Sequence, residues 1–267
     1  MGTMTDAATE KWKTCDDFAY GIDTYRRPGA DLTGRSFSLT LSDGSTLSLD
    51  FVDSTHVHWG ARGVVNAPAE TVDPCDAVVV RDDVFFVNLE LTSREREAII
   101  VVFSTTTHRA LVALSQIAPE KVEGTPQVTQ QFFAAEVDGA PIGGDEPEES
   151  RDLIGMRNVY RYSPDHLYEH VYISSQRYAW QCLEGIQRGH GDMDLSTVWK
   201  FADGLYLFCF REFRISVASV WLHDLGYGLN TTGIFLGLNA AGASTHSRAG
   251  GLIYPLGTVR YPDAQPV

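Results

Sequence analysis

The chain has 267 residues, 43% of them hydrophobic and 11% aromatic, enough to bury a sizeable core in one large or two small domains. Its 21 Lys and Arg against 35 Asp and Glu give a formal net charge of −14. Such a surface repels phosphate backbones and anionic lipid, so neither nucleic acid nor membrane is an expected partner.

In chain order, residues 1–30 are polar, end near Pro28 and Gly29, and read as an N-terminal arm or cap. Residues 31–137 read as a first β domain. "SFSLTLSDGSTLSLDFV" is two alternating runs around the turn "SDGS". "DAVVVRDDVFFVNLEL" is a second pair and "EAIIVVFSTTTHRALVAL" a third, while "TPQVTQQFFAAEV" suits one short strand or helix. Residues 138–152, "DGAPIGGDEPEESRD", hold Gly, Pro and acids that cannot pack a core and read as a linker. Residues 153–267 read as a second β domain. "NVYRYSPDHLYEHVYI" turns at "SPDH", where Pro164 supplies the fixed φ of a turn. "VWKFADGLYLFCFRE" turns at "ADG", and "RISVASVWLHDLGYGLNTTGIFLGL" makes the last pair. Short strands with close turns and little helical periodicity predict an all-β fold of two tandem up-and-down antiparallel barrels.

The two β domains resemble each other at a constant offset of 121 residues. "LTG" at 32 aligns with "LIG" at 153, "TLSLDFVDSTHVHW" at 46 with "LYEHVYISSQRYAW" at 167, and "VVRDDVFFVNLE" at 79 with "KFADGLYLFCFR" at 200. One offset across three blocks points to internal duplication, and two copies do not make a solenoid. Tyr168, His170 and Tyr172 fall on one strand face, where the first copy has Leu47, Leu49 and Phe51. The second copy is therefore the polar-aromatic version, and any chemistry is expected there, with the main pocket in the C-terminal barrel.

Three groups of residues carry candidate chemistry. Tyr160 and Tyr162 are two apart and point the same way, and Glu212 follows the face of Phe208 and Phe210. A carboxyl among aromatics is desolvated, its pKa rises, and it suits general acid/base work beside two phenols. The bland reading is amphipathic core tyrosines and a solvated strand end. His170 between Tyr168 and Tyr172 is either a second base or a satisfied core histidine. "HVHW", with His56 and His58, has metal-ligand character but only Glu90 or His108 as further ligands without diagnostic spacing, so a polar strand face is the better reading. "GHGDMD", with His190, Asp192 and Asp194, reads as a solvated turn. No metal and no cofactor is expected, because no phosphate loop, dinucleotide fingerprint or zinc-protease motif is present. Cys15, Cys75, Cys182 and Cys209 form no CxxC pair and follow no secretory segment. They read as small hydrophobes in a reduced, cytoplasmic protein, and no apolar run is long enough for a bilayer.

The blocks "LYEHVYISSQRYAWQCLEG", "LYLF…RE" and "TTGIFLG" resemble the C-terminal part of the MoaF family, named for molybdenum cofactor biosynthesis. "LTGRSFSLTLSDGSTLSLDF" and "DDVFFVNLE" are similar to its N-terminal half, so the resemblance spans roughly 32 to 260. It implies two lipocalin-like (calycin-like) domains. The second copy is also similar to the phenolic acid decarboxylases, cofactor-free enzymes on one lipocalin-like barrel. Their Y-x-Y pair, Tyr-bearing strand and aromatic-x-Glu become Tyr160 and Tyr162, "LYEHVY", and Phe210 with Glu212. Where that family has an arginine this chain has Gln181, and a neutral amide does not hold a carboxylate as a guanidinium does.

These readings converge on a cofactor-independent lyase or isomerase: dehydration, decarboxylation or proton-transfer cyclisation of a small aromatic or apolar ligand in the C-terminal barrel. Tyr160 and Tyr162 would polarise an oxygen, Glu212 would shuttle a proton and His170 would serve as a second acid/base. Tyr168, Tyr172, Trp180, Gln181, Phe208 and Phe210 would bind substrate. The rival is a non-catalytic carrier with the same lining. Self-association as a homodimer stays open on sequence alone.

Overall fold

The computed structural model describes residues 12–63 and 70–267. A short helix α1 (Cys15–Ala19) precedes the first run of strands: β1 (Ser36–Leu41), β2 (Thr46–Phe51), β3 (His56–Arg62), β4 (Thr71–Arg81), β5 (Val84–Glu90), β6 (Glu97–Ser104), β7 (Arg109–Ile117) and β8 (Val128–Val137). Each pairs antiparallel with the next, and β1 pairs with β8, closing a barrel of eight among the described residues. "TPQVTQQFFAAEV" thus forms the closing strand. After a two-residue strand β9 (Glu148–Glu149) come β10 (Met156–Ser163), β11 (His166–Tyr172), β12 (Arg177–Glu184), β13 (Gly191–Ala202), β14 (Leu205–Arg211), β15 (Val217–Asp224), β16 (Asn230–Leu238) and β17 (Ser244–Thr258). They meander in the same way, and β10 pairs with β17 to close a second barrel. β9 pairs with β13 on its outside. No described helix is long and apolar enough to cross a membrane.

The two barrels share one register. Leu39 sits opposite Leu47 and Tyr160 opposite Tyr168; Leu49 opposite Trp59 and His170 opposite Trp180. β5 and β14, like β7 and β16, begin and end at the 121-residue offset, while β6 and β15 pair one residue closer because the loops around them differ by one. Period-2 alternation sends one side chain of each pair inward. In the first barrel those side chains are mostly aliphatic, with Leu39, Leu49, Leu89 and Val101 packed around Trp59. In the second they are Tyr160, Tyr162, Tyr178, Phe208, Trp221 and their neighbours.

The outward faces are apolar too where the barrels meet. Val80, Phe86, Ile100 and Val102 of the first pack with Phe201, Leu207, Val220 and Leu222 of the second in one buried cluster. Equivalent faces of the two copies thus form a third core. Arg81 donates to Asp224 across this contact at 2.9 Å, and Arg211 to Gln130 at 3.0 Å. Residues 12–30 form a strap. It starts on the second barrel, where Gly250 donates its amide to the Ile22 carbonyl, and crosses to the first at the Gly29–Val78 bridge. Gly250 permits this close approach: a Cβ there would meet the Arg26 Cα at 2.8 Å.

Candidate functional site in the C-terminal barrel

Alternation along β14 turns Phe208, Phe210 and then Glu212 inward, and Glu212 remains only 6% exposed. Its counterpart in the first barrel is Leu91, which is also buried. Glu212 faces a cavity of about 40 Å³, room for a few waters. Tyr162, Tyr168, His170, Tyr178, Trp180 and Gln187 line it from the β10–β13 side, and Phe210, Trp221 and Phe235 from the other. Phe18 and Ile22 of the strap line it as well. Trp12 adds an edge contact to Trp180 at 6.2 Å and lies under the Arg214 guanidinium.

The electrostatics of this space favour neutral forms. Burial pushes the Glu212 carboxyl well above the usual carboxylate range, and the nearby charges of Asp194 and Asp192 add to the effect. Burial also pulls His170 down to about 3, so its imidazole is neutral. Its Nδ1 is buried and makes no hydrogen bond. No hydrogen bond to the Glu212 carboxyl is formed by the described residues. Tyr168 donates to the Gln187 Oε1 at 2.9 Å, which fixes its ring. Tyr162 is fully buried, stacks on Trp221, and is raised far above an ordinary phenol.

Tyr160 and Tyr172 lie one layer deeper. Their hydroxyls are 2.7 Å apart, Asn158 donates to Tyr160 at 3.3 Å, and Tyr172 meets the His223 Nε2 at 3.2 Å. His223 closes the chain on Thr231 at 2.8 Å. Phe208 packs against His223 in the same layer, at 5.4 Å between rings. The structure therefore brings Tyr162, Glu212, His170, Tyr168, Trp180 and Phe210 to the cavity and sets Tyr160, Tyr172 and Phe208 beneath it. Gln181 is exposed on the outer barrel face, where it bonds Glu169 beside Arg157. Sequence reasoning missed Tyr178, Trp221, Phe235 and Gln187, and it read residues 1–30 as an arm or cap without placing Phe18 and Ile22 at this cavity. The first three lie on inward positions that alternation marks, but only barrel closure shows that they meet.

The other sequence candidates fall elsewhere. His56 pairs with Asp53, and His58 lies between Asp50 and Glu70, all on the outside of β3. Among the described residues no group of three His, Cys, Asp or Glu could hold a metal ion. "GHGDMD" is not a solvated turn: Gly191–Asp194 begins β13, and Asp194 is 1% exposed. Trp180 and the Phe213 amide both donate to its carboxylate, at 2.9 and 3.1 Å. The first barrel has the same tie, with Trp59 and the Thr92 amide donating to Asp73 at 2.9 and 3.0 Å. The four cysteines are free and buried, with Cys15 in α1. The first barrel also has a recess at the equivalent mouth, near Leu41, Leu47 and Leu114. At about 80 Å³ it is larger than the second barrel's cavity, contrary to the expectation that aliphatics would fill it and leave the main pocket in the C-terminal barrel. Its polar groups lie at the rim, where Arg94 pairs with Glu97.

Two closed meander barrels, one with a polar-aromatic interior, define a tandem barrel protein whose second copy bears the candidate site. The model of the MoaF N-terminal domain matches residues 10–119 and that of the MoaF C-terminal domain residues 147–259. Protein MoaF of Klebsiella aerogenes is 30% identical over 203 residues, covering 72% of this chain and 73% of its own. The chain belongs to the MoaF family. A crystal structure from Burkholderia vietnamiensis, described as a candidate beta-lactamase, is similar over 39% of this chain and 95% of its own, at 15% identity and a TM-score of 0.34. That likeness is too slight to bear on fold or function.

Proposed function

We propose that the C-terminal barrel houses a cofactor-independent proton-transfer site of the lyase or isomerase kind, acting on a small aromatic or otherwise apolar substrate. The observation that carries this reading is Glu212: a buried carboxyl facing a cavity, free of hydrogen-bond partners, where its repeat counterpart is Leu91. A carboxyl kept protonated by burial is a proton donor at neutral pH. Glu212 gives its proton to the substrate, and its carboxylate takes back the proton released from a neighbouring carbon. The cycle ends where it began. Tyr162 and His170, both at the cavity, hydrogen-bond a substrate oxygen. Tyr160 supports the site from beneath through its bond to Tyr172.

The strap residues Phe18 and Ile22 against the cavity favour a second reading, a carrier that holds its ligand beside the strap, in a role linked to molybdenum cofactor biosynthesis. Proton exchange separates the two. Aryl ketones and unsaturated aryl alcohols incubated in D₂O with the protein, followed by proton NMR, should show carbon-bound deuterium or rearranged product. Glu212→Gln should abolish that change. Ligand binding without any exchange by the wild type supports the carrier.

A further inference from the structure

The cavity's inventory of charge constrains what enters it. Glu212 and His170 are its ionisable groups other than phenols, and among the described lining residues none is Lys or Arg. Cations around this end of the barrel are engaged elsewhere: Lys121 donates to the Arg214 carbonyl, Arg214 pairs with Asp192 and covers Trp12, and Arg177 lies over Phe213. Gln181 faces the opposite side of its strand, so its amide does not reach the cavity. An anion placed here would lose its water, gain no cation and approach Asp194 behind Trp180. A cation would lose its water too, and Glu212 would have to release its proton in a desolvated site before pairing with it.

We infer that this cavity, which holds only a few waters as it stands, admits an uncharged aryl compound when Phe18 and Ile22 of the strap move aside, that this guest presents a carbonyl or hydroxyl oxygen to Glu212, and that carboxylates are rejected. This rests on the reading of the cavity as the functional site. The Glu212 carboxyl donates to that oxygen, and the unpaired His170 Nδ1 supplies a second polar contact. The ring lies among Tyr178, Trp221 and Phe235. Decarboxylation then leaves the set of reactions, while isomerisation and dehydration stay.

Three probes of one shape test the charge: acetophenone, benzoate and benzylammonium. Each is titrated into the full chain at neutral pH, with binding read by calorimetry and by the fluorescence of Trp180 and Trp221. Acetophenone should bind at least about tenfold more tightly than either ion. Glu212→Leu, whose side chain the first barrel accepts at Leu91, should weaken acetophenone by about tenfold. Glu212→Gln keeps a donor and should stay within a few-fold. Benzoate or benzylammonium binding as tightly as acetophenone overturns the charge inference and leaves the cavity as the site. Acetophenone failing to bind at millimolar concentration, or binding equally to Glu212→Leu, removes the cavity itself and the inference with it.

Discussion

At the scale of single residues, the chemistry depends on a substitution between two copies of one barrel. Leu91 and Glu212 occupy equivalent buried positions, so the backbone already tolerates an apolar side chain there. The carboxyl in the second copy is costly to bury and unpaid for by any hydrogen bond. Its raised pKa has a clear sign for turnover. Donation requires the protonated form, which burial extends above the ordinary range near 4.5. The rate should therefore stay level where a normal glutamate titrates and fall only on the alkaline side. Glu212→Gln should fold normally and lose turnover by about a hundredfold or more. Near wild-type turnover in that variant removes Glu212 from the chemistry. Tyr162→Phe, which deletes a hydroxyl at the cavity, should fold and lose more activity than Tyr160→Phe, whose hydroxyl is spent on Tyr172 and Asn158. Equal losses would contradict the layering.

At the scale of elements, the repeated Trp–Asp tie joins β3 to β4 and β12 to β13. It fixes the start of β13 against the strand that carries Trp180, and so shapes one wall of the cavity. Burial raises Asp194 to about 6, from 3.8, so folding favours its protonated form. That contribution is fully present below the unfolded value and is lost as pH rises through the folded one. A shift of about two units corresponds to about 3 kcal/mol. Asp194→Asn lacks this dependence. The stability advantage of wild type over Asp194→Asn, read from denaturant midpoints, should be larger near about pH 4 than near about pH 7. A constant advantage would mean that Asp194 does not titrate in this range.

Much of this level was legible in the sequence. The 121-residue offset, the hairpin turns and the polar-aromatic face at Tyr168, His170 and Tyr172 follow from period-2 alternation, which fixes in from out. Depth along the barrel was not legible. Residues two apart on a strand share a face but differ in height by about 7 Å, so Tyr162 reaches the cavity and Tyr160 does not. The same alternation that sends Trp180 inward sends Gln181 outward. Residues 1–30 read as an arm or cap, but one turn of helix with Phe18, followed by Ile22, carries no signal for which barrel it covers.

At the scale of the whole molecule, the barrels are bound too closely to act as beads on a string. Their outer faces share one apolar core, in which Phe86, Leu205, Leu207 and Val220 lose almost all contact with water. The strap adds a second tie, since its start packs on the second barrel and its end joins the first. Burying such faces favours association by about 25 cal/mol per Å² of apolar surface, and neither barrel recovers that alone. The chain should therefore unfold as one unit. Trp59 reports the first barrel, and Trp180 with Trp221 the second. Guanidinium unfolding followed in a variant that keeps only Trp59 and in one that lacks it should give the same midpoint. Leu207→Asp places an unpaired charge in the shared core and should lower stability by about 3 kcal/mol or more. Its effect should appear in both reporters at once, although Leu207 belongs to the second barrel. A lowered midpoint for Trp180 and Trp221 with Trp59 unmoved would show that the barrels unfold independently, and that the shared core does not couple them.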